Sequence, residues 1–259
     1  MIRGLYTSAW SMMANSKKLD TISNNLANVN TNAYKRDTVV FEAFPDILTR
    51  RIKDTASSLD PLASPGNMQL GSDVGQIYTY YKQGQLLSTN NKSDLAFKNN
   101  DNAFFTVGKP DQDGQLKEYY TRDGAFTLNA EKQLVDKEGN AVLGEKGPIT
   151  LSNEDFKVES DGTVIDDGQV VDKLKIKEFT DTTTLRKYGS NLVTKTDQSE
   201  ERQFNGEVVQ GSLEQSNVNT VKEMVDMISV LRSYEASQKL LQIQDGTLEK
   251  VVNEVGAVR

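Results

Sequence analysis

Apolar residues return at every seventh position at both ends of the chain, and this spacing limits the possible folds more than any other feature. Near the N-terminus, Leu5, Met12, Leu19 and Leu26 form one row. A second row, offset by three, runs Ser8, Asn15, Ile22 and Val29. Rows so spaced define an a/d seam on a helix, here with two polar interruptions. A helix over residues 5–29 would be roughly 37 Å long at 1.5 Å per residue. The C-terminus repeats the pattern with Met227, Tyr234, Leu241, Leu248 and Val255, accompanied by Met224, Leu231, Gln238, Asp245 and Val252. Thr220-Val221-Lys222-Glu223 has the form of a capping box, which places the helix start there. Gly246 is an internal weak point worth ~1 kcal/mol relative to Ala, and Gly256 is the expected end. Two such helices can pack along each other, or they can cover one face of a central domain as an ordinary pair. Periodicity alone leaves both open.

The centre reads differently. From about residue 74 to 209, short β-type runs alternate with turn dipeptides: Asp113-Gly114, Asp123-Gly124, Gly139-Asn140, Asp161-Gly162 and Asp167-Gly168. The strand-like pieces include 104–107, 126–128, 156–158, 163–165 and 174–176. Glycine in these turns supplies the positive φ of tight hairpins. Pro45, Pro61, Pro65, Gly66, Gly71 and Gly75 exclude a long helix between the N-terminal seam and this region. The fold class read from these patterns is α+β. Terminal helical segments span 1–35 and 212–259, an extended connector 36–75, and a hairpin-rich β-domain 76–211.

Composition narrows the chemistry. There is no Cys and no His among 259 residues, which removes thiolate nucleophiles, disulfides, His general bases and nearly all zinc sites. Thirty-seven acids against 30 bases argue against a nucleic-acid partner, which needs a basic face. No run approaches the ~18 apolar residues of a membrane span. Thr7, Ser8 and Ser11 interrupt the first apolar stretch, so it reads as mature structure and not as a cleaved leader. Asp111-Gln112-Asp113-Gly114 and Asp161-Gly162 lack the alternating acids and closing Glu of a calcium loop and read as turns. Arg50-Arg51-Lys53 reads as solvated surface, Lys35-Arg36 as a surface or interface pair, and Trp10 as packing at the helix start. No cofactor, metal site or catalytic residue is expected. A two-carboxylate glycosidase needs neither His nor Cys, but no pair of acids is marked out. A secreted module binding through its β-domain is the third reading.

Several motifs, in order, resemble those of the bacterial flagellar rod and hook proteins. The N-terminal signature is Ile22-Ser23-Asn24-Asn25-Leu26-Ala27-Asn28-Val29-Asn30-Thr31-Asn32-Ala33-Tyr34-Lys35-Arg36. Asn67-Met68-Gln69-Leu70-Gly71 is similar to a stretch of distal rod subunits. Gln83-Gly84-Gln85-Leu86, Asp94-Leu95-Ala96-Phe97 and Tyr120-Thr121-Arg122-Asp123-Gly124-Ala125-Phe126 follow. The C-terminal signature runs from Gln210-Gly211-Ser212-Leu213-Glu214 through Asn217-Val218-Asn219 to Arg232-Ser233-Tyr234-Glu235. One departure stands before Phe104-Phe105. The family's Gly-x-Gly is replaced by Asn99-Asn100-Asp101-Asn102-Ala103, in which Asn and Asp tolerate a left-handed backbone best after Gly.

The resemblance implies a structural subunit of the flagellar rod, a helical polymer that transmits motor torque to the hook. The terminal helices would form its coiled-coil inner layer. It implies contacts with copies of itself, with other rod and hook subunits and with the flagellar export apparatus. It also implies a basal-body location reached without a cleaved signal peptide. A proximal rod paralogue or a hook-type subunit fits the same motifs. The residues expected at the assembly interface are Leu5, Met12, Leu19, Ile22, Asn24, Asn25, Leu26, Asn28, Val29, Met224, Met227, Leu231, Tyr234, Leu241 and Leu248. Isolated helices of ~25 residues are marginal in water, so the ends are expected to be disordered before assembly and ordered by it. Asn24, Asn25 and Asn28 either fray and cap the helix end or hydrogen-bond a neighbour and fix register.

Overall fold

The computed structural model describes residues 2–49, 66–110, 116–153, 155–189 and 191–255. The chain forms two compact units. One takes Met1–Asn24, Asp37–Tyr78 and Val221–Arg259; the other takes Asn25–Arg36 and Thr79–Thr220. Segment 25–36, grouped with the helical end by its sequence, packs with the strand-rich unit. Arg50, Arg51, Lys53, Pro61, Pro65, the 111–114 turn and Gly256 lie outside the described residues.

In the first unit, α1 (Ile2–Ala27) and α2 (Thr220–Lys250) lie side by side. Gly4 meets Gln244, and Ser11 Oγ lies 3.3 Å from Ser237 Oγ. Residue numbers rise on one helix as they fall on the other, so the pair is antiparallel. The buried positions of α2 are Glu223, Val230 and Ser237, seven apart. On α1 they include Ser8, Ala14 and Ile22. The intrachain seam is therefore small and partly polar. A Cβ at Gly4 would stand 2.5 Å from Gln244 Nε2, so glycine there permits the close approach. Helix α2 passes through Gly246 without a break.

The connector expected over 36–75 is extended, but it is not a single passing strand. Asp37–Ala43 pairs with Ser72–Thr79, and Ile47–Thr49 pairs with Gly66–Met68 in the register Ile47↔Met68. The two arms form a long hairpin ladder that rests on α1. Thr7 Oγ1 donates to the Leu70 carbonyl at 3.2 Å, and Lys17 is 3.1 Å from Asp73. The Trp10 and Phe44 rings meet edge-on at 4.8 Å. Gly71 adopts φ +144°, and a Cβ there would lie 3.4 Å from Trp10 Cβ. A side chain at this position would be strained by the backbone as well as crowded.

The second unit is antiparallel β-structure. Its main sheet runs, in spatial order, Arg186–Tyr188, Leu192–Thr194, Leu116–Thr121, Ala103–Pro110, Ala141–Val142, Leu134–Val135 and Thr127–Leu128. Ile176–Phe179 pairs with the start of Ala103–Pro110 and, on its other side, with Glu201–Arg202. Smaller ladders join Leu95–Lys98 to Glu207–Gln210, Leu86–Ser88 to Ser212–Glu214, and Lys157–Val158 to Thr163–Asp166 to Gln169–Lys173. Gly139, Gly162 and Gly168 supply the expected positive φ, at +85°, +87° and +79°; Gly124 does not, and is required instead because a Cβ there would stand 1.7 Å from the Leu95 carbonyl oxygen. Asn99 takes φ +51°, so the loop that departs from the family pattern turns left-handed at an asparagine. The core gathers Leu95, Phe97, Phe105, Val107, Phe126, Leu134 and Ile149, with a second cluster around Phe104, Tyr120 and Phe179.

Candidate assembly interface

The helical unit turns much of its apolar surface outward. On α2, Val221, Met224, Val225, Ile228 and Leu231 are exposed, as are Leu240 and Ile243 about two and a half and three turns further on. Val225, Ile228, Ser229, Arg232, Ser233 and Ala236 line a shallow groove on the same helix. Among the residues expected at an interface, Met224 and Leu231 are exposed, at 50 % and 42 %. Met227, Tyr234, Leu241 and Leu248 are half-buried, beside the Glu223-Val230-Ser237 row. On α1, Leu5, Met12, Leu19, Leu26 and, just beyond the helix, Val29 are half-buried, and Ile22 is buried. Exposed aliphatic surface of this extent on helices is unusual for a face that meets only solvent.

The asparagine cluster divides. Asn25 is 1 % exposed and its Oδ1 accepts a hydrogen bond from Tyr34 Oη at 3.2 Å. Asn28 Oδ1 accepts from Thr31 Oγ1 at 3.1 Å. Asn24 is exposed. Asn25 and Asn28 thus hold the turn that follows α1, with Ala33 in a left-handed conformation at φ +55°.

In the strand-rich unit, a node of buried charge holds that turn. Glu214 is 2 % exposed, Arg122 3 % and Lys35 4 %. The Arg122 guanidinium donates to Glu214 Oε2 from Nε at 3.1 Å and from Nη2 at 2.9 Å. Its remaining donors reach the carbonyls of Ala103 and Asn100, and its plane lies 5.6 Å from both Phe97 and Phe104. Glu214 Oε1 accepts from Lys35 Nζ and from the Gly84 backbone N–H. Lys35 Nζ also donates to the Lys82 carbonyl at 2.9 Å. Burial, followed by the Arg122 charge, pushes the Lys35 ammonium down to about 8, and the pull of Glu214 only partly offsets them. Asn217 completes the node. Its Oδ1 accepts from the Arg36 N–H at 2.8 Å, and its Nδ2 donates to the carbonyls of Tyr80 and Lys82. Lys187 Nζ donates to the Lys35 carbonyl at 3.2 Å and sits 5.0 Å over the Tyr34 ring.

Comparison with known proteins gives the chain its relatives. Residues 5–35 match the model described as flagella basal body rod protein. Residues 100–171 match the flagellar hook protein FlgE/F/G D1 domain, and 209–254 the flagellar basal body rod FlgEFG protein C-terminal. The flagellar basal-body rod protein FlgG of Buchnera aphidicola from Acyrthosiphon pisum is 34% identical over 97% of this chain and 99% of its own length. The chain belongs to the flagellar basal-body rod protein family. The rod protein FlgF of Rhizobium meliloti is 30% identical over the whole of both chains. FlhO of Bacillus subtilis, a flagellar hook-basal body complex protein, is 29% identical over the whole of both.

The node explains why this rod-family chain carries its motifs where it does. Tyr34-Lys35-Arg36, Gln83-Gly84-Gln85, Arg122 and Glu214 through Asn217 are far apart in sequence and meet at one carboxylate and one amide. Sequence reasoning took Lys35 as a surface or interface residue, and the structure corrects this: it is buried against Glu214. Glu214 and Arg122 carried no assigned role, because a charge read in its own stretch of chain gives no clue to a distant partner that neutralises it. The only clue was that each charge stood inside a motif next to strand residues. Trp10 packs at the helix start as expected.

Proposed function

We propose that this structural subunit of the flagellar rod polymerises helically through the outward faces of its terminal helices and so carries motor torque toward the hook. The apolar stripe of α2 is the observation that carries the reading: Val225, Ile228 and Ile243 are 60 %, 52 % and 62 % exposed, while Ser237 and Glu223 are buried. A helix face that shows aliphatic residues to solvent leaves ~1.5–3 kcal/mol per large side chain to be gained when a neighbour covers it. The occupants proposed are copies of this chain and the other rod and hook subunits, and Met224, Leu231 and Asn24 belong to the same surface. Passage through the flagellar export apparatus without a cleaved leader, location in the basal body, and a role without catalysis, nucleic acid or membrane insertion complete the proposal. No helix among the described residues is long and apolar enough to cross a membrane.

The test is Ile228→Asp in the full chain. The expected outcome is an unchanged thermal melt and circular dichroism spectrum, with loss of concentration-dependent polymers by sedimentation velocity and electron microscopy. The variant should also fail to restore motility to a strain lacking the gene. Polymers and motility at the unsubstituted level would overturn the reading.

A further inference from the structure

The Glu214 node gathers three separate passes of the chain. The first is 33–36, which follows α1. The second is 80–85, which follows the hairpin. The third is 214–217, which precedes α2. Backbone bonds accompany the side chains: the Ala33 N–H donates to the Glu214 carbonyl at 2.8 Å, and the Gln215 N–H to the Gln85 carbonyl at 2.8 Å. The Arg36 N–H ends on Asn217 Oδ1, and the Tyr80 N–H on the Arg36 carbonyl at 2.9 Å. A fourth anchor comes from the main sheet through Arg122, which ties Glu214 to the Asn100 and Ala103 carbonyls. Closure is sterically demanding as well. A Cβ at Gly84 would stand 1.9 Å from the Gln215 carbonyl oxygen. Every partner in this set lies inside the strand-rich unit.

A charge pair buried this deeply is not held by surface attraction. Each member depends on the others, because removing one leaves the remainder desolvated without compensation. The charged members of such a cluster close together, as one unit seated on the sheet. We infer that the Glu214 node is a closure lock that completes the β-unit, including the segments just outside both helices, before any neighbouring subunit binds. Assembly then has only the helical unit, α1, α2 and the hairpin arms, left to order. This moves the boundary of the pre-assembled part outward from the periodicity break: residues 33–36 and 214–217 are ordered in the free subunit, whatever the state of the helices. The inference takes the rod-subunit reading for its purpose, but it concerns the monomer alone.

Amide hydrogen exchange on dilute, full-length protein tests it. The expected result is protection of the Ala33, Arg36, Gly84 and Gln215 amides at least about 1,000-fold above free peptide, within the range of the sheet amides of Val107 and Tyr119. In Glu214→Gln, which keeps the shape and removes the charge, Ala33, Gly84 and Arg36 should lose at least tenfold while Val107 stays protected. Asn217→Ala, a milder change, should release Arg36 selectively. Free-peptide exchange at 33–36 and 214–217 beside a protected sheet in the unsubstituted chain would overturn the inference. So would an equal fall at all amides, Val107 included, in both variants, since the node would then be ordinary stability and not a lock. These outcomes do not depend on whether the chain polymerises, so failure of the function and failure of the lock are separate results.

Discussion

In the strand-rich unit, Phe97, Phe104, Phe105, Phe126 and Phe179 are at most 1 % exposed; in the helical unit, Val225, Ile228 and Ile243 stand more than half in solvent while Ser8, Ser237 and Glu223 are buried. The strand-rich unit has its core inside itself. The helical unit has a small, partly polar intrachain seam and turns many of its aliphatic side chains outward. Burial and hydrophobicity go together in one unit and separate in the other. The β-unit obeys the rule that large apolar residues go inside, and the helices would obey it only with the proposed partner in place.

The comparison breaks most sharply at Phe105, which stacks on Phe97 at 4.2 Å and meets Phe126 edge-on at 5.3 Å. Phe105→Ala should cost about 3–5 kcal/mol of unfolding free energy, measured by urea denaturation of the β-unit. The next largest effect is one of pH. Burial pushes Lys35 down to about 8 in the fold from 10.5 for an exposed lysine, so the folded state holds its proton less tightly than the unfolded chain. Its contribution to stability therefore rises as pH goes from about 8 to 10.5 and is lost again as pH falls back through 8. Denaturation of the unsubstituted protein and of Lys35→Met across this window should show a stability difference that grows by up to about 3 kcal/mol in favour of lysine. Arg122, Glu214 and Asp101 are the charged groups that face the ammonium.

Smaller effects sharpen the helical side. Gly71→Ala forces a side chain onto φ +144° beside Trp10 and should cost about 1–3 kcal/mol. Trp10 is the only tryptophan, so a red shift of its emission at an unchanged β-unit melt is the expected signature. Ile228→Ser on the outward face should change monomer stability by no more than about 0.5 kcal/mol. A fall of several kcal/mol there would mean that the stripe packs within the chain after all.

The ends of the molecule were legible in the sequence. Seven-residue rows and the Thr220 capping box located both helices, because apolar spacing at 3.5–3.6 residues records a helix whatever covers it. The rows did not tell which side faces the partner helix. The intrachain seam runs through Glu223, Val230, Ser237 and Gly4, and a search for apolar residues passes over serine and glycine. The hairpin arms of 37–49 and 66–79 were read as extended chain but not as partners of each other, since pairing across the intervening residues leaves no local signal. Turn glycines and asparagines marked the β-unit well, because positive φ is a property of a single residue. Lys35, Arg122 and Glu214 were unreadable as a group for the opposite reason: a buried ion cluster is a property of three positions spread over more than two thirds of the chain.

The outward stripe of α2 also sets how the assembled state should respond to cold. Its exposed members are valine, isoleucine, leucine and methionine, and the covering of such surface is driven near room temperature by the release of water, with little heat. That drive weakens on cooling and strengthens with excluded salts such as sulfate. A rod held by this face is firmest when warm, and chilled subunits would be the ones slow to join it.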